Sequence, residues 1–422
     1  MGILYELTLA IGFLFYLPGA FCRRRLPHRG WAMRLGRYPA KVRRAIEGRR
    51  PVWLHAVSVG EAVAARPLAR ALIDADPARG LVLSTITPGG FAMATQVAGA
   101  VPVYFPLDFR ASVTRALDAL RPGALLLVES EWWPTMLRLT RRRGVPIAVV
   151  NGRLSPRAFR RYRRARGWAA RLLRDIDLFL MQSQGDADRA IELGAPPERL
   201  RVTGSLKWDA SVGARPSPEA IREAAARLGL APDDPAPVIV AGSTHRGEEA
   251  AVLSAFRAVR EASPRARLII APRHLERVAE VETEAREAGF DVVRASAPAG
   301  GWDVAVVDRF GELARYYGLA HAVFIGGSLV PHGGQNPLEA TSLGKPIVFG
   351  PFMHNFAEIA ERLMEHGAAR QLASVEELSP VLRLMCADTG GSRVMGARAQ
   401  ALTERSQGAL ARTLAALQPL LR

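Results

Sequence analysis

The chain has 422 residues, of which 49% are hydrophobic, so it has room for two or three domains with sizeable cores. Its two cysteines lie far apart and outside any metal-binding spacing, which argues against a disulfide framework and favours a reducing compartment. Residues 1–209 hold 34 Lys and Arg against 16 Asp and Glu, a balance of +18, whereas residues 210–422 hold 23 against 24, a balance of −1. The excess positive charge of the first half favours binding to a nucleic acid, an anionic membrane or a phosphorylated substrate.

Residues 1–22 are predicted to form a membrane anchor. They are largely apolar, and arginines occupy positions 23–25 directly afterwards. A signal peptide normally carries its positive charge before the apolar run, whereas here the charge follows it. This order suits a segment held at the cytoplasmic face of a membrane. The length is marginal for a membrane span, so spanning and interfacial anchors both stay open, and the alternative is a buried N-terminal helix. Residues 23–50 carry eleven Lys and Arg, which suits a basic segment on anionic lipid or a solvated charged surface.

The first predicted strand spans residues 52–56 and leads through a short turn into a helix at 62–73. Glu61 lies in that turn, at the carboxyl end of the strand, where open α/β sheets place their sites. A carboxylate at this position can act as a general base. The alternative is that it only complements the positive end of the helix dipole.

Four further strands are predicted in the first half, at residues 81–86, 125–128, 147–150 and 202–205. The strand at 125–128 runs into E-S-E-W-W-P, where strand alternation would send Glu129 and Glu131 to the same side. Residues 153–174 carry nine arginines among aromatic side chains, a composition that suits phosphate on a lipid or a nucleic acid. No nucleic-acid-binding motif is present in the sequence, so we expect no nucleic-acid partner.

The second half repeats the alternation of strands and helices. Residues 210–218 have the composition of an interdomain linker. Strands are predicted at residues 238–241, 268–271, 305–307, 323–325 and 346–349. Residues 402–422 are predicted to form a terminal helix that packs back on the first domain. The pattern predicts an α/β protein with two Rossmann-like parallel-sheet domains, residues 23–209 and 219–401, facing across a cleft.

The stretch at residues 323–351 contains two glycine pairs between a strand and a helix. Asn336 is predicted to cap that helix, with Pro337 at its first position and Gly344 at its end. Glycines let backbone N–H groups approach an anion closely, and Glu339 could accept hydrogen bonds from ribose hydroxyls. The pattern therefore favours a nucleotide site, although glycines that only permit tight packing would give the same pattern.

Seven short motifs occur in one order along the whole chain. They are H-A-V-S-V-G-E (55–61), E-S-E-W-W-P (129–134), N-G-R-L-S (151–155), V-T-G-S-L-K-W-D (202–209), A-P-R-H (271–274), F-G-E-L (310–313) and G-G-Q-N-P-L-E-A (333–340). In this order the motifs resemble those of the bacterial 3-deoxy-D-manno-octulosonic acid (Kdo) transferases of lipopolysaccharide biosynthesis, which are membrane-associated glycosyltransferases of the GT-B fold.

The resemblance implies roles for individual residues. Glu61 corresponds to the general base, and Glu129 and Lys207 correspond to residues that stabilise the transition state. Glu131 is present beside Glu129, so either carboxylate could take that role. The residues that correspond to contacts with CMP are Pro272, Arg273, Phe310, Gly311, Glu312, Asn336, Pro337, Leu338 and Glu339.

The resemblance also implies the partners. The donor would be CMP-Kdo and the acceptor lipid IVA, the lipid A precursor, with the enzyme held by anionic lipids at the cytoplasmic face of the inner membrane. Family members invert the donor's anomeric configuration without a metal or other cofactor, so the D-x-D spacings at 175–177 and 186–188 are not expected to bind one. Two alternatives stay open: another transferase or epimerase that uses a UDP-sugar or a soluble acceptor, and a membrane scaffold without catalysis.

Overall fold

The computed structural model describes residues 5–6, 12, 30–130, 132–231, 236–298 and 300–422. The chain divides into two compact α/β units. The first unit consists of Met1–Ala210 and Gln407–Arg422, and the second of Ser211–Ser406. Each unit is built on one seven-stranded sheet whose paired strands are all parallel.

The sheet of the first unit has the strand order β3-β2-β1-β4-β5-β6-β7. Its strands are β1 (Val52–His55), β2 (Leu81–Thr85), β3 (Ala100–Tyr104), β4 (Ala124–Val128), β5 (Ile147–Gly152), β6 (Leu178–Met181) and β7 (Leu200–Val202). The central strands β1 and β4 are completely buried and mainly apolar because helices cover both faces of the sheet.

Ten helices of the described chain accompany this sheet or lead away from it. They are α1 (Trp31–Arg34), α2 (Ala40–Ala45), α3 (Val59–Ala75), α4 (Pro88–Thr95), α5 (Arg110–Leu120), α6 (Pro134–Arg142), α7 (Pro156–Arg163), α8 (Arg166–Leu173), α9 (Gln184–Glu192) and α10 (Leu206–Gly213). A 3-10 turn at Pro197–Arg199 precedes β7.

The second unit has the strand order β10-β11-β9-β8-β12-β13-β14. Its strands are β8 (Val238–Thr244), β9 (Arg267–Pro272), β10 (Val292–Arg294), β11 (Val304–Val306), β12 (Ala322–Ile325), β13 (Ile347–Phe349) and β14 (Arg370–Gln371). Its helices are α11 (Pro218–Arg227), α12 (Glu249–Ala262), α13 (Val278–Glu287), α14 (Leu313–Tyr317), α15 (Leu338–Ser342), α16 (Ala357–Glu365), α17 (Leu378–Ala387) and α18 (Thr389–Arg405), with 3-10 turns at Leu275–Arg277 and Val375–Glu377.

The C-terminal segment belongs to the core of the first unit. Its helix α19 (Ala409–Leu417) buries Ala409 and Leu417 completely, in the same apolar cluster as Ala62, Ala65 and Leu206. Asp209 Oδ1 accepts a hydrogen bond of 3.0 Å from the Gly408 N–H at the start of this helix. Both the apolar contacts and this bond tie the end of the described chain to the first unit.

Two predicted elements differ from the structure. Residues 210–213, predicted as linker, continue helix α10, which crosses the division between the units. The predicted helix at 402–422 is the end of α18 followed by a separate α19, because the chain turns at residues 406–408, where Gly408 has φ 91°.

The predicted anchor at residues 1–22 lies almost entirely outside the described residues. Within residues 1–22, Tyr5, Glu6 and Gly12 are described, and the Tyr5 hydroxyl donates a hydrogen bond of 3.0 Å to Asp108 Oδ2. Across the described ranges, no helix combines the length and the apolar character that a membrane crossing needs.

Candidate active site

In each sheet the strand order reverses at one point, and ligands of open α/β proteins bind at the carboxyl ends of the strands there. In the first unit the reversal lies between β1 and β4, so the relevant loops begin at Ala56 and Glu129. In the second unit it lies between β8 and β12, so the loops begin at His245 and Gly326. Glu61, Glu129 and residues 336–339 follow these strands, and Arg273 follows β9 beside β8, whereas Lys207 follows β7 and residues 310–312 follow β11, further along the sheets.

Glu61 is the third residue of helix α3 and closes a capping box with Ser58. The Ser58 hydroxyl accepts a hydrogen bond of 3.3 Å from the Glu61 N–H and donates one of 2.9 Å to Glu61 Oε1. The Val57 N–H donates a bond of 2.8 Å to Glu61 Oε2. The side chain is therefore oriented by its own turn and stays partly exposed at the carboxyl edge of the sheet.

Glu129 and Lys207, predicted as partners in one function, lie together. Lys207 Nζ is 3.0 Å from Glu129 Oε1, and both side chains are mostly buried, with exposures of 17% and 18%. Glu129 has φ 61°, so β4 ends before it and strand alternation does not apply to it, contrary to the prediction. A non-glycine residue with a positive φ is strained, and such residues concentrate at functional sites. Glu131 lies outside the described residues.

Asn151 connects strand β5 to the helix that carries Lys207, a role the sequence did not predict. Its side chain is completely buried and its φ is 52°. Asn151 Oδ1 accepts a hydrogen bond of 2.9 Å from the Leu206 N–H at the start of α10, and its carbonyl accepts one of 2.9 Å from Gln182 Nε2. Asn151 therefore fixes the start of the helix one residue before Lys207. The tolerance of asparagine for a positive φ was the available sequence signal.

His55, the last residue of β1, is completely buried beneath the Glu61 turn. Its ring stacks on Phe105 with centroids 3.7 Å apart, and its Nδ1 is 2.9 Å from Ser84 Oγ. Ser84 Oγ also accepts a hydrogen bond of 2.7 Å from Trp53 Nε1. Burial lowers the pKa of His55 to about 3, against a smaller opposing effect of the Ser84 backbone, so the imidazole is neutral near pH 7.

Asp108 organises the start of the helix that follows the Glu129 loop. Its carboxylate accepts hydrogen bonds of 2.9 and 2.8 Å from the N–H groups of Thr135 and Met136 at the N-terminus of α6, besides the bond from Tyr5. Burial raises the pKa of Asp108 to about 6, although these hydrogen bonds act in the opposite direction.

In the second unit, Arg273, Asn336 and Glu339 lie within electrostatic reach of one another. Burial raises the pKa of Glu339, whereas a hydrogen bond with the Asn336 side chain and the charge of Arg273 act to lower it. Pro272 ends β9 and is buried, and the Arg273 N–H donates to the Thr244 carbonyl at 2.9 Å. The loops after β8, β9 and β12 therefore meet around Arg273, Asn336 and Glu339, a cluster that combines a positive charge with a carboxylate.

Helix α15 differs in its limits from the prediction. It spans Leu338–Ser342, so it begins after Pro337 and ends before Gly344. Asn336 Oδ1 nevertheless accepts a hydrogen bond of 3.1 Å from the Leu338 N–H, as a capping side chain does. Pro337 and Leu338 are buried and anchor the segment.

Residues 310–312 lie on the loop before α14. Phe310 is 67% exposed, and Gly311 has φ 84°. The Glu312 carboxylate is 3.3 Å from Arg227 Nη1 and accepts a hydrogen bond of 3.2 Å from the Tyr316 hydroxyl. These contacts hold Glu312 at the start of the helix, while Phe310 projects from the loop.

The first glycine pair, Gly326-Gly327, does not present its N–H groups to an external anion. The N–H groups of Gly327, Ser328 and Leu329 all donate to the carboxylate of Glu248, at 2.6, 2.9 and 2.9 Å. The structure thus corrects the prediction for this turn, because a buried side chain supplies the anion. Glu248 was missed in the sequence because three of its four backbone partners lie about 80 residues further along the chain.

Three histidines lie close together at this edge of the second sheet. The His245 ring stacks on His332 with centroids 4.3 Å apart, and His274 lies 5.8 Å away edge-on. His245 Nε2 is also 3.0 Å from Gln335 Nε2. Burial, followed by the effects of His332, His274 and Arg273, lowers the pKa of His245 to about 4. His245 is therefore neutral at pH 7.

One acid of each D-x-D spacing has structural partners. Asp177 pairs with Arg141 at 2.6 Å and accepts from the Ile147 N–H, and Asp186 accepts from the Leu154 N–H and pairs with Arg189. Among the residues that the structure describes, no group of three or more His, Cys, Asp or Glu has a metal-binding arrangement.

Comparison with known proteins gives consistent results. The family model described as 3-deoxy-D-manno-octulosonic-acid transferase (kdotransferase) matches residues 29–210. A 3-deoxy-D-manno-octulosonic acid transferase of Bordetella pertussis is 34% identical over 390 residues, which are 87% of this chain and 87% of that protein. The enzyme of the same name from Haemophilus influenzae is 31% identical over 376 residues, 88% of this chain and 87% of that protein.

Two solved structures share the fold. A glycosyltransferase from Rickettsia africae aligns with a TM-score of 0.60 at 10% identity, covering 89% of this chain and 99% of that one. A UDP-GlcNAc 2-epimerase from Neisseria meningitidis aligns with a TM-score of 0.57 at 12% identity, covering 84% of this chain and 99% of that one. Identities this low show the fold alone, and the predicted architecture of two parallel-sheet α/β domains is confirmed.

Proposed function

Because this chain belongs to the 3-deoxy-D-manno-octulosonic acid (Kdo) transferases, a family of glycosyltransferases, we propose that it transfers Kdo from CMP-Kdo to lipid IVA in lipopolysaccharide biosynthesis. The reaction is a metal-independent transfer that inverts the anomeric configuration. The bonding of Asp177 and Asp186 to arginines and backbone groups is consistent with the absence of a metal at the D-x-D spacings.

The proposed base is Glu61. It takes the proton from a hydroxyl of lipid IVA, the hydroxyl oxygen bonds to the anomeric carbon of Kdo, and the bond from that carbon to the phosphate oxygen breaks. CMP leaves with the electron pair. The observation that carries this role is the position of Glu61 at the strand-order reversal, partly exposed and oriented by Val57 and Ser58.

Positive groups would stabilise the charge that develops during transfer. Lys207, held at 3.0 Å from Glu129 and mostly buried, supplies a compact charge in a site of low exposure. Arg273 suits the phosphate of the departing CMP, and Glu339 suits the hydroxyls of its ribose. The remaining CMP contacts are proposed at Pro272, at residues 310–312 and at residues 336–338.

The acceptor and the membrane would engage the first unit. Residues 1–209 carry the whole excess of positive charge, and α7 exposes arginines 157, 160, 161 and 163 without an acidic residue. Lipid IVA carries phosphates, and the inner leaflet carries anionic lipids, so both match this charge. We propose that the enzyme lies at the cytoplasmic face of the inner membrane with residues 1–22 as its anchor.

An assay with CMP-Kdo and lipid IVA, with products resolved by mass, tests the function. Glu61→Gln removes the base and should lower kcat by roughly 10²- to 10⁴-fold while the affinity for CMP stays within about twofold. Asp186→Asn is the matched control, because Asp186 forms the same capping box with Ser183 on α9. Its activity per folded molecule should stay within about threefold of the wild type. Turnover by Glu61→Gln at the level of Asp186→Asn would remove Glu61 from the mechanism.

The fold is shared with enzymes whose names include UDP-GlcNAc, so a UDP-sugar enzyme is the competing function. The two functions predict different ligands. CMP should raise the unfolding temperature of the full chain and UDP should leave it unchanged, because a ligand stabilises only the protein that binds it. Stabilisation by UDP alone would favour the competing function.

A further inference from the structure

The carboxylate of Glu248 is the centre of a buried hydrogen-bond network in the second unit. The residue is completely buried and lies between the loop after β8 and the glycine turn after β12. Glu248 Oε2 accepts from the N–H groups of His245 and Gly327 at 2.8 and 2.6 Å. Glu248 Oε1 accepts from the N–H groups of Ser328 and Leu329, both at 2.9 Å.

Four backbone donors on one carboxylate form an anion-binding arrangement of the kind that glycine turns provide for phosphates. Hydrogen bonds to an ionised acceptor are about twice as strong as neutral ones. Burial raises the pKa of Glu248, and the four N–H groups act to lower it. Glu248 thus joins two loops that have no sequence proximity to each other.

The glycine turn at residues 326–329 is also hydrogen-bonded to the segment before α15. The Gly334 N–H donates to the Gly327 carbonyl at 2.7 Å, and the Gln335 N–H donates to the Gly326 carbonyl at 3.0 Å. The next residue is Asn336, whose side chain caps the Leu338 N–H. The position of residues 333–339 therefore depends on the turn at 326–329.

We propose that Glu248 is a positioning residue for the donor nucleotide: its carboxylate acts as an internal anion that shapes the glycine turn and, through it, sets the segment that carries Asn336 and Glu339. This role rests on the proposed function, which assigns residues 336–339 to CMP. Glu248 itself contacts backbone groups, so it acts on the nucleotide through residues 326–336.

Glu249, the next residue, provides a matched control at the start of α12. It is also completely buried, but its carboxylate pairs with Arg277 at 2.7 Å. Replacement of either glutamate removes a buried charge from the start of α12 and should destabilise the second unit. Only replacement of Glu248 should disturb the turn, because an amide NH₂ in its place would face backbone N–H groups that need an acceptor.

The test compares Glu248→Gln with Glu249→Gln in the full chain. For Glu248→Gln we expect CMP to bind at least about tenfold more weakly and KM for the donor to rise similarly, with kcat within about threefold. We also expect faster amide exchange at residues 327–335. For Glu249→Gln, CMP affinity should stay within about twofold and exchange at 327–335 should be unchanged. If Glu248→Gln does not fold, Glu248→Asp serves instead, and it should weaken CMP at least about threefold because the shorter side chain cannot span both loops.

Two outcomes would overturn the proposal, and a third would overturn the proposed function. If a folded Glu248 variant binds CMP with the affinity of the wild type, Glu248 has only a structural role. Equal weakening by Glu249→Gln would assign the effect to general destabilisation. Failure of the wild-type protein to bind CMP would overturn the proposed function instead, and amide exchange at 327–335 would still decide whether Glu248 holds the turn.

Discussion

Glu61 and Asp186 show how two residues with the same local structure differ in what they can do. Each closes a capping box with a serine three residues earlier. Asp186 is 2% exposed, and the Leu154 N–H and Arg189 contact its carboxylate, whereas Glu61 stays partly exposed at the edge of the sheet. A serine followed three residues later by an acid is a recognisable signature of such a cap. This signature cannot predict exposure, which depends on residues distant along the chain.

His55 leads to a prediction about pH. Its folded pKa is about 3, below the value of about 6.5 in an unfolded chain, so on acidification the unfolded state takes up a proton first. The stabilisation is present above pH 6.5 and is lost as the pH falls towards 3. Between pH 7 and pH 5 this residue should lower the free energy of unfolding by about 2 kcal/mol.

Urea unfolding at both pH values checks this, with His55→Gln as the comparison. Asp108 acts in the opposite direction, because its raised pKa of about 6 favours the folded state as the pH falls from 6 towards 4. The difference between the wild type and His55→Gln isolates the histidine, since Asp108 is present in both. Equal pH dependence in the two proteins would contradict a neutral, buried His55.

Among the secondary-structure elements, the strands at the centre of each sheet were predicted well, because buried parallel strands are continuous apolar runs. The prediction missed β3, which contains Pro102. Proline interrupts a strand pattern, but β3 lies at the edge of its sheet, where a missing N–H is tolerated. It also missed β6, a four-residue strand between β5 and β7, and the edge strands β10 and β14, which are three and two residues long. Short edge strands are defined by their neighbours more than by their own residues.

Some residues of the candidate site were predictable from the sequence, and others were not. Elementary reasoning placed Glu61, Arg273 and Glu339 after strands, and the motif order predicted Lys207 with Glu129. The network around Glu248 and the bond from Asn151 to the start of α10 were not predictable, because each joins segments that come together only when the sheet forms.

A prediction at this scale concerns Gly326, where the chain leaves β12. A Cβ there would lie 2.4 Å from the carbonyl oxygen of Ser243, a backbone atom of the neighbouring strand β8. Gly326→Ala should therefore destabilise the protein by about 1–3 kcal/mol. Gly301→Ala is the control, since nothing lies within 4 Å of its Cβ position and its φ is not positive. Unfolding midpoints in urea test the two variants. Equal midpoints would show that the chain at Gly326 can move away from β8 without a cost in stability.

At the scale of the whole molecule, the main feature of the sequence is the uneven charge. The first half carries +18 and the second half −1, so attraction to an anionic surface should come from the first unit. Binding of the full chain to vesicles that contain anionic lipid should weaken as salt rises from about 0.05 to 0.5 M, since the Debye length shrinks.

Substitution of Arg157, Arg160 and Arg164 by glutamine should weaken vesicle binding at least about threefold, because each exposed arginine near an anionic surface contributes up to about 1 kcal/mol. The matched control replaces three exposed arginines of the second unit, Arg286, Arg383 and Arg393, and removes the same net charge. Equal losses in both triple variants would show that total charge, and not its location, determines binding.

The return of the chain to its first unit has a consequence for synthesis. The first unit consists of two separated segments, whereas the second is one continuous segment, Ser211–Ser406. A ribosome that adds roughly 5–20 residues per second needs roughly 10–40 s to proceed from Ser211 to the end of α19. During that interval the apolar surface around Leu206, which α19 covers, has no partner. The second unit can fold on the ribosome before the first is complete, and we expect chaperones to engage nascent chains at this uncovered surface.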